Sequence, residues 1–138
     1  LRLAGHGPFH TPLMFGSSDK AMAELPVSLF GRPAIPMVDG RGHIWRRFAS
    51  VPDAIRDYTF GHQILAAYDF ARSVQVAVRE FAPDVLILPG PGDTLGGAIA
   101  QSLIGIEWQG IASKADFAAL ATDDDAQQPA LPPARQHL

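Results

Sequence analysis

The chain has 138 residues, 47% of them apolar and 18% charged, which suits one globular domain and excludes a wholly disordered chain. Eleven Lys and Arg against fourteen Asp and Glu give a net charge of −3, the wrong sign for a phosphate-binding surface, so nucleic acid is not an expected partner. With no cysteine there is no disulfide framework, no thiolate zinc ligand and no thiol nucleophile, and no apolar run approaches the roughly 18 residues a membrane span needs.

Leu1 to Ala4 are a short apolar piece that reads as the last strand of something continuing upstream, and they run into Gly5-His6-Gly7-Pro8. Leu1 stands where a natural start would have Met. A basic segment followed by an apolar one is missing, so no secretory signal is expected and a cytoplasmic location is. Thr11 to Leu25 suit a helix, with Thr11 as N-cap, Pro12 at the first helical position and Pro26 as the stop. Pro33 to Val38 read as a short strand, held to an edge by Pro36, and Asp39-Gly40-Arg41-Gly42 as a turn. Ser50 is placed to cap a helix with Asp53 in its first turn, and Gly61 interrupts it. From Asp69 to Phe81, Phe70, Val74, Ala77, Val78 and Phe81 recur at three- and four-residue steps, which predicts an amphipathic helix ended by Pro83. Val85-Leu86-Ile87-Leu88 has the pattern of a strand buried on both faces at the centre of a parallel sheet. A glycine turn, Pro89 to Thr94, and a small-residue helix, Leu95 to Ile104, follow. Trp108 to Ile111 read as one more short strand, and Ser113 caps a last turn toward Leu120. The residues from 121 to 138, with Asp123-Asp124-Asp125 and Pro132-Pro133, have little to bury and read as a disordered tail. The fold class is α/β, a short, mostly parallel sheet flanked by helices.

Few residues offer chemistry. Of the five histidines, His137 lies in the tail and His43 in a turn beside Trp45, Arg46 and Arg47, where a solvated surface role is expected. His6 and His10 have a metal-chelating helical spacing, but Gly5, Gly7 and Pro8 forbid a helix there, so no metal is expected. His10 follows a strand and a glycine turn and precedes a helix, a junction that faces a cleft; read alone, such a histidine packs or caps more often than it reacts. Gly90-Pro91-Gly92 has the wrong spacing for a phosphate loop, because Leu95 stands where the third glycine belongs. No serine sits in a Gly-x-Ser-x-Gly elbow, so there is a candidate base and no candidate nucleophile.

Gly7-Pro8-Phe9-His10-Thr11-Pro12-Leu13-Met14 closely resembles the catalytic-histidine segment of malonyl-CoA:acyl-carrier-protein transacylases and of polyketide synthase acyltransferase domains. Three later features agree in order: the strand Pro33 to Val38, the helix from Asp53 through Gln63, and the Leu88-Pro89-Gly90-Pro91-Gly92-Asp93-Thr94-Leu95 turn. The resemblance runs from about Leu3 to Phe117 and implies that residues 1–120 are the C-terminal portion, less than half, of an α/β-hydrolase-like acyltransferase domain. It implies that His10 is the general base of a Ser–His dyad, that the backbone carbonyl of Gln63 accepts a hydrogen bond from its ring, and that Phe9 contacts the acyl group and favours malonyl over methylmalonyl. Gly7-Pro8 replaces the His-Ala that usually precedes Phe-His in malonyl-type domains.

The activity implied is transfer of malonyl from malonyl-CoA, through an acyl-serine, to the phosphopantetheine thiol of acyl carrier protein, in fatty acid or polyketide synthesis, with no bound cofactor. The partners implied are acyl carrier protein, the coenzyme A thioester and the missing N-terminal half of the domain, which in the family carries the nucleophile elbow, an oxyanion-hole loop, the carboxylate-reading arginine and most of a ferredoxin-like subdomain. The isolated chain is therefore expected to be inactive. Two alternatives stand beside this: a non-catalytic α/β domain that binds a ligand or partner, with His10 as a packing residue, and a missing half supplied by a separate chain.

Overall fold

A computed structural model describes residues 7–89 and 94–123. The expected strand Leu1 to Ala4, the glycines and proline of the Gly90 to Asp93 turn, His6, and the chain from 124, which includes His137 and most of the expected tail, lie outside the described residues. Among the described residues helices dominate, accompanied by one small two-stranded sheet, so the fold is α/β in a broad sense. The chain divides between Ile87 and Leu88 into two compact units. Among the described residues no helix is long and apolar enough to cross a membrane.

The first unit begins with a 3₁₀ turn, Pro12–Met14, that leads into α1, Phe15–Glu24. Thr11 has the extended backbone of an N-cap, but its hydroxyl bonds back to the Pro8 carbonyl at 2.6 Å, so the proline rather than a capping side chain starts the helix. Strand β1, Met37–Val38, pairs antiparallel with β2, Ile44–Trp45, in the register Met37 to Trp45 and Val38 to Ile44. Only the last two residues of the expected Pro33 to Val38 strand are in the ladder; Pro33 and Pro36 have no N–H to give it.

The turn between the strands is organised by one carboxylate. Asp39 accepts the backbone N–H groups of Arg41 at 2.9 Å and His43 at 3.1 Å through Oδ1. Its Oδ2 accepts Arg41 Nε at 3.1 Å, Arg41 Nη2 at 2.6 Å and the Trp45 indole N–H at 3.2 Å. Burial alone would push the Asp39 carboxyl up, but the hydrogen bonds from Arg41 and His43 outweigh it and hold the carboxyl below its ordinary value. Gly42, at φ 77°, takes the left-handed turn position, where a side chain would also meet Arg72 and Val76.

Trp45, Ile55 and Tyr58 form the buried core of this unit, with Phe30 packed against it. Ile55 lies in α2, Pro52–Asp57. Ser50 does not cap this helix: Pro52 occupies N1, which makes Val51 the cap and leaves Ser50 one residue too early. Rather than ending at Gly61, the helix widens into a π turn, Tyr58–His62, and continues as α3, Gln63–Leu65. The Thr59 hydroxyl bonds the Ile55 carbonyl at 2.8 Å, a back-bond that loosens the regular ladder where the widening starts. α4, Phe70–Phe81, is where the apolar spacing predicts it, with the Asp69 carboxylate accepting the Arg72 N–H at 2.8 Å as N-cap and Ala82 in the left-handed conformation as C-cap. It packs against β1, and Val78 is its fully buried residue.

The second unit holds α5, Thr94–Ile104, and α6, Lys114–Asp123, packed together, with Ile99, Ala100, Leu103 and Ile111 buried. Ser113 and Asp116 cap α6 reciprocally: the Asp116 N–H donates to the Ser113 hydroxyl at 3.2 Å and the Asp116 carboxylate accepts from the Ser113 hydroxyl at 2.7 Å and the Ala112 N–H at 3.1 Å.

Two expected strands are absent. Val85 to Leu88 carry no regular secondary structure, and all four side chains are exposed, Ile87 most at 83%. A doubly buried strand exists only between neighbours that pair with it. Among the described residues the only sheet is the antiparallel β1–β2 pair. Trp108 to Ile111 instead contain a 3₁₀ turn, Trp108–Gly110, in which Gln109 and Gly110 have positive φ, as does Glu107 just before it, a conformation no strand accommodates.

Asp39→Ala leaves two backbone N–H groups, an indole N–H and a guanidinium without their acceptor. We expect a loss of about 3 kcal/mol in this unit, read from urea unfolding by Trp45 fluorescence in a Trp108→Phe background. The folded-state carboxyl titrates below its unfolded value, so its stabilisation is present above about pH 4 and is lost as pH falls through the lower folded value. The acid limb of the stability–pH curve should flatten in Asp39→Asn.

Candidate active site

His10 lies at the junction between the loop 7–11 and the 3₁₀ turn that opens α1. Its backbone is left-handed, at φ 62°, a conformation uncommon for any residue but glycine and one that clusters at functional sites. His10 Nδ1 is 2.6 Å from the backbone carbonyl oxygen of Gln63, 53 residues further along the chain. A carbonyl only accepts, so Nδ1 carries the proton and the neutral ring keeps Nε2 as a bare base. Among the described residues nothing hydrogen-bonds Nε2.

The Gln63 carbonyl is available for a physical reason. α3 stops at Leu65, and the last carbonyls of a helix have no partner within it. The Ala66 N–H takes the His62 carbonyl, one residue earlier. Through the π turn, the Gln63 N–H itself bonds to the Tyr58 carbonyl.

Two contacts bind α1, and so the base of the His10 loop, to this helix. The Ser18 hydroxyl donates to the Phe60 carbonyl at 2.6 Å. The Arg56 guanidinium donates to the carbonyls of Met22 and, at 2.8 Å, Leu25, where α1 ends.

Phe9 is 60% exposed, with its ring lying back over Gly7. Leu13 and Phe15, which flank the same junction, are also exposed. A cavity of about 210 Å³ is lined among others by Asp39, Trp45, Tyr58, Gln63 and Tyr68. Within it the Tyr58 hydroxyl accepts the Gly40 N–H at 3.1 Å; burial pushes that hydroxyl's pKa up, so it stays protonated. A larger, more open cleft of about 570 Å³ is lined by Arg41, His43, Trp45 and Ser50 among others. His43 is exposed, with its ring set edge-on against Trp45 at 4.5 Å. No cluster of three or more His, Asp or Glu side chains that could hold a metal occurs among the described residues.

Sequence reasoning brought out His10, Gln63 and Phe9 and missed Tyr68, whose ring centroid is 5.7 Å from that of His10. It also read Asp39 only as a turn residue. The one signal for Tyr68 was an aromatic residue immediately before a helix cap, which is too common to act on. Comparison of the chain with models of protein families, with curated proteins and with solved structures finds no match in any of the three.

The geometry predicts that neutral His10 is the Nδ1–H tautomer. ¹⁵N-resolved NMR of the imidazole should show a protonated Nδ1, slow to exchange, and an unprotonated Nε2; a dominant Nε2–H form would mean that the bond to Gln63 is not made in solution.

Proposed function

We propose that His10 is the general base of an acyl transfer in which a serine hydroxyl takes malonyl from malonyl-CoA and passes it to the phosphopantetheine thiol of acyl carrier protein. The observation that carries this reading is the hydrogen bond from His10 Nδ1 to the Gln63 carbonyl, which leaves Nε2 bare on an exposed ring. It joins the two residues that the sequence resemblance pairs as base and orienting carbonyl.

In the first half-reaction the serine oxygen attacks the thioester carbon while Nε2 takes the hydroxyl proton. Collapse of the tetrahedral intermediate breaks the carbon–sulfur bond and expels coenzyme A, whose sulfur receives that proton. In the second half-reaction the phosphopantetheine thiol gives its proton to Nε2 as it attacks the acyl-serine, and the proton returns to the serine oxygen as it leaves. The Gln63 carbonyl holds the ring in one tautomer and stabilises the imidazolium formed in each half-reaction.

No serine among the described residues is bonded to Nε2. The nucleophile and the oxyanion donors therefore come from outside these residues, either from the same polypeptide or from a second chain. The exposed Phe9, Leu13 and Phe15 beside His10 support a surface that such a part covers. The family fold belongs to the same proposal: the exposed apolar segment Val85 to Leu88 is the one that would pair into a parallel sheet once its neighbours are present.

The test is malonyl transfer from malonyl-CoA to phosphopantetheinylated acyl carrier protein by the longest natural polypeptide that contains these residues. Transfer is expected, and His10→Ala should lower kcat/KM by about 10³-fold; absence of transfer would leave a non-catalytic binding domain as the better reading. The 138 residues alone should form no acyl-serine, and acylation observed on them would show that the nucleophile lies within this chain. Phe9→Ser should shift the malonyl to methylmalonyl preference by about 10- to 200-fold toward methylmalonyl.

A further inference from the structure

Resting on the reading of His10 as the base, we propose that Tyr68 is a positioning residue that holds the His10 ring against the Gln63 carbonyl. The ring of Tyr68 meets two parts of the molecule. Its centroid lies 5.7 Å from that of His10 at an interplanar angle of 44°, an aromatic contact of ordinary packing distance. It also lies directly on the backbone of Gly40: a Cβ added there would sit 2.6 Å from Cδ2, 2.8 Å from Cγ and 2.9 Å from Cε2 of the Tyr68 ring. Glycine is required at position 40 for this approach, whatever its φ.

Gly40 is itself fixed. Its N–H donates to the Tyr58 hydroxyl, and its neighbour Asp39 closes the hairpin with five hydrogen bonds. The hairpin therefore acts as a rigid seat for the Tyr68 ring, and that ring limits the rotation of His10 about χ1 and χ2. A single 2.6 Å hydrogen bond at an exposed histidine sets the tautomer but does not by itself stop the ring from swinging out into water. The second contact supplies that restraint. No hydrogen bond is made by the Tyr68 hydroxyl among the described residues, so the effect belongs to the ring and not to the phenol oxygen.

The two variants that separate these roles are Tyr68→Phe, which keeps the ring, and Tyr68→Leu, which keeps an apolar side chain over Gly40 but is too short to reach His10. The measurements are NMR of the 138-residue chain: ring-to-ring NOEs between Tyr68 and His10 in the unsubstituted protein, and the exchange rate of the His10 Nδ1 proton in all three. Expected are NOEs in the unsubstituted chain, Nδ1–H exchange about tenfold faster in Tyr68→Leu, and no change in Tyr68→Phe. Absence of the NOEs overturns the proposal without any substitution. So does equal exchange in Tyr68→Leu and the unsubstituted chain, and so does a Tyr68→Phe as fast as Tyr68→Leu, which would move the role to the hydroxyl. In the transfer assay, Tyr68→Leu should lower kcat by about tenfold with KM unchanged, and Tyr68→Phe should behave as the unsubstituted protein. If no transfer occurs at all, the acyl-transfer reading fails, while the NMR result still decides whether Tyr68 holds the ring.

Discussion

The buried carboxylate of Asp39 is the interaction on which the first unit is built. A lone ionised carboxyl in that position would be strongly unfavourable; five donors converging on its two oxygens reverse the balance. Because two of those donors are backbone N–H groups, the carboxylate sets the path of the turn. Because a third is the Trp45 indole, it also orients the largest side chain of the core. Arg41, drawn in by the same carboxylate, lies over the face of Tyr58 at 4.3 Å. The small sheet has two residues in each strand and could not persist on its ladder alone.

That arrangement explains which parts of the molecule were legible beforehand. α4 was, because five apolar residues repeat at helical spacing behind an Asp that can cap and ahead of a Pro that must stop. Of α6 only the start was legible, with Ser113 as the cap of a last turn; the helix runs on through residues 121–123, which composition had assigned to a disordered tail. The turn at Asp39 was legible as a turn, but nothing in Asp-Gly-Arg-Gly announces that the carboxylate also reaches a tryptophan six residues on. Val85 to Leu88 and Trp108 to Ile111 were misread for different reasons. The first has the composition of a central strand, and composition cannot supply the neighbouring strands. The second is apolar at both ends, but positive φ at Glu107, Gln109 and Gly110 curls it into a turn.

The candidate site was legible in its members and not in its mechanics. His10 and Gln63 came from the pattern of residues around them. What brings the pair into hydrogen-bond contact is the helix that ends two residues after Gln63 and the left-handed backbone at His10, neither of which a residue pattern displays. Tyr68 was invisible for a related reason: its importance comes from the bare backbone of Gly40, twenty-eight positions earlier, and from the space a missing side chain leaves.

The π turn at Tyr58–His62 has a consequence for how the site tolerates change in chain length. Successive residues of an α-helix are rotated by about 100° around its axis. The widened turn accommodates one more residue than a regular ladder would, and so sets the angle at which everything after it emerges. Removing that residue would keep a helix and keep a glutamine near its end, yet would turn the Gln63 carbonyl by roughly a quarter of a revolution. The histidine would then face a different peptide edge. The helix thus behaves as a dial whose setting is the number of residues between Ile55 and Gln63, and that count, more than the identity of the glutamine side chain, is what the site has to preserve.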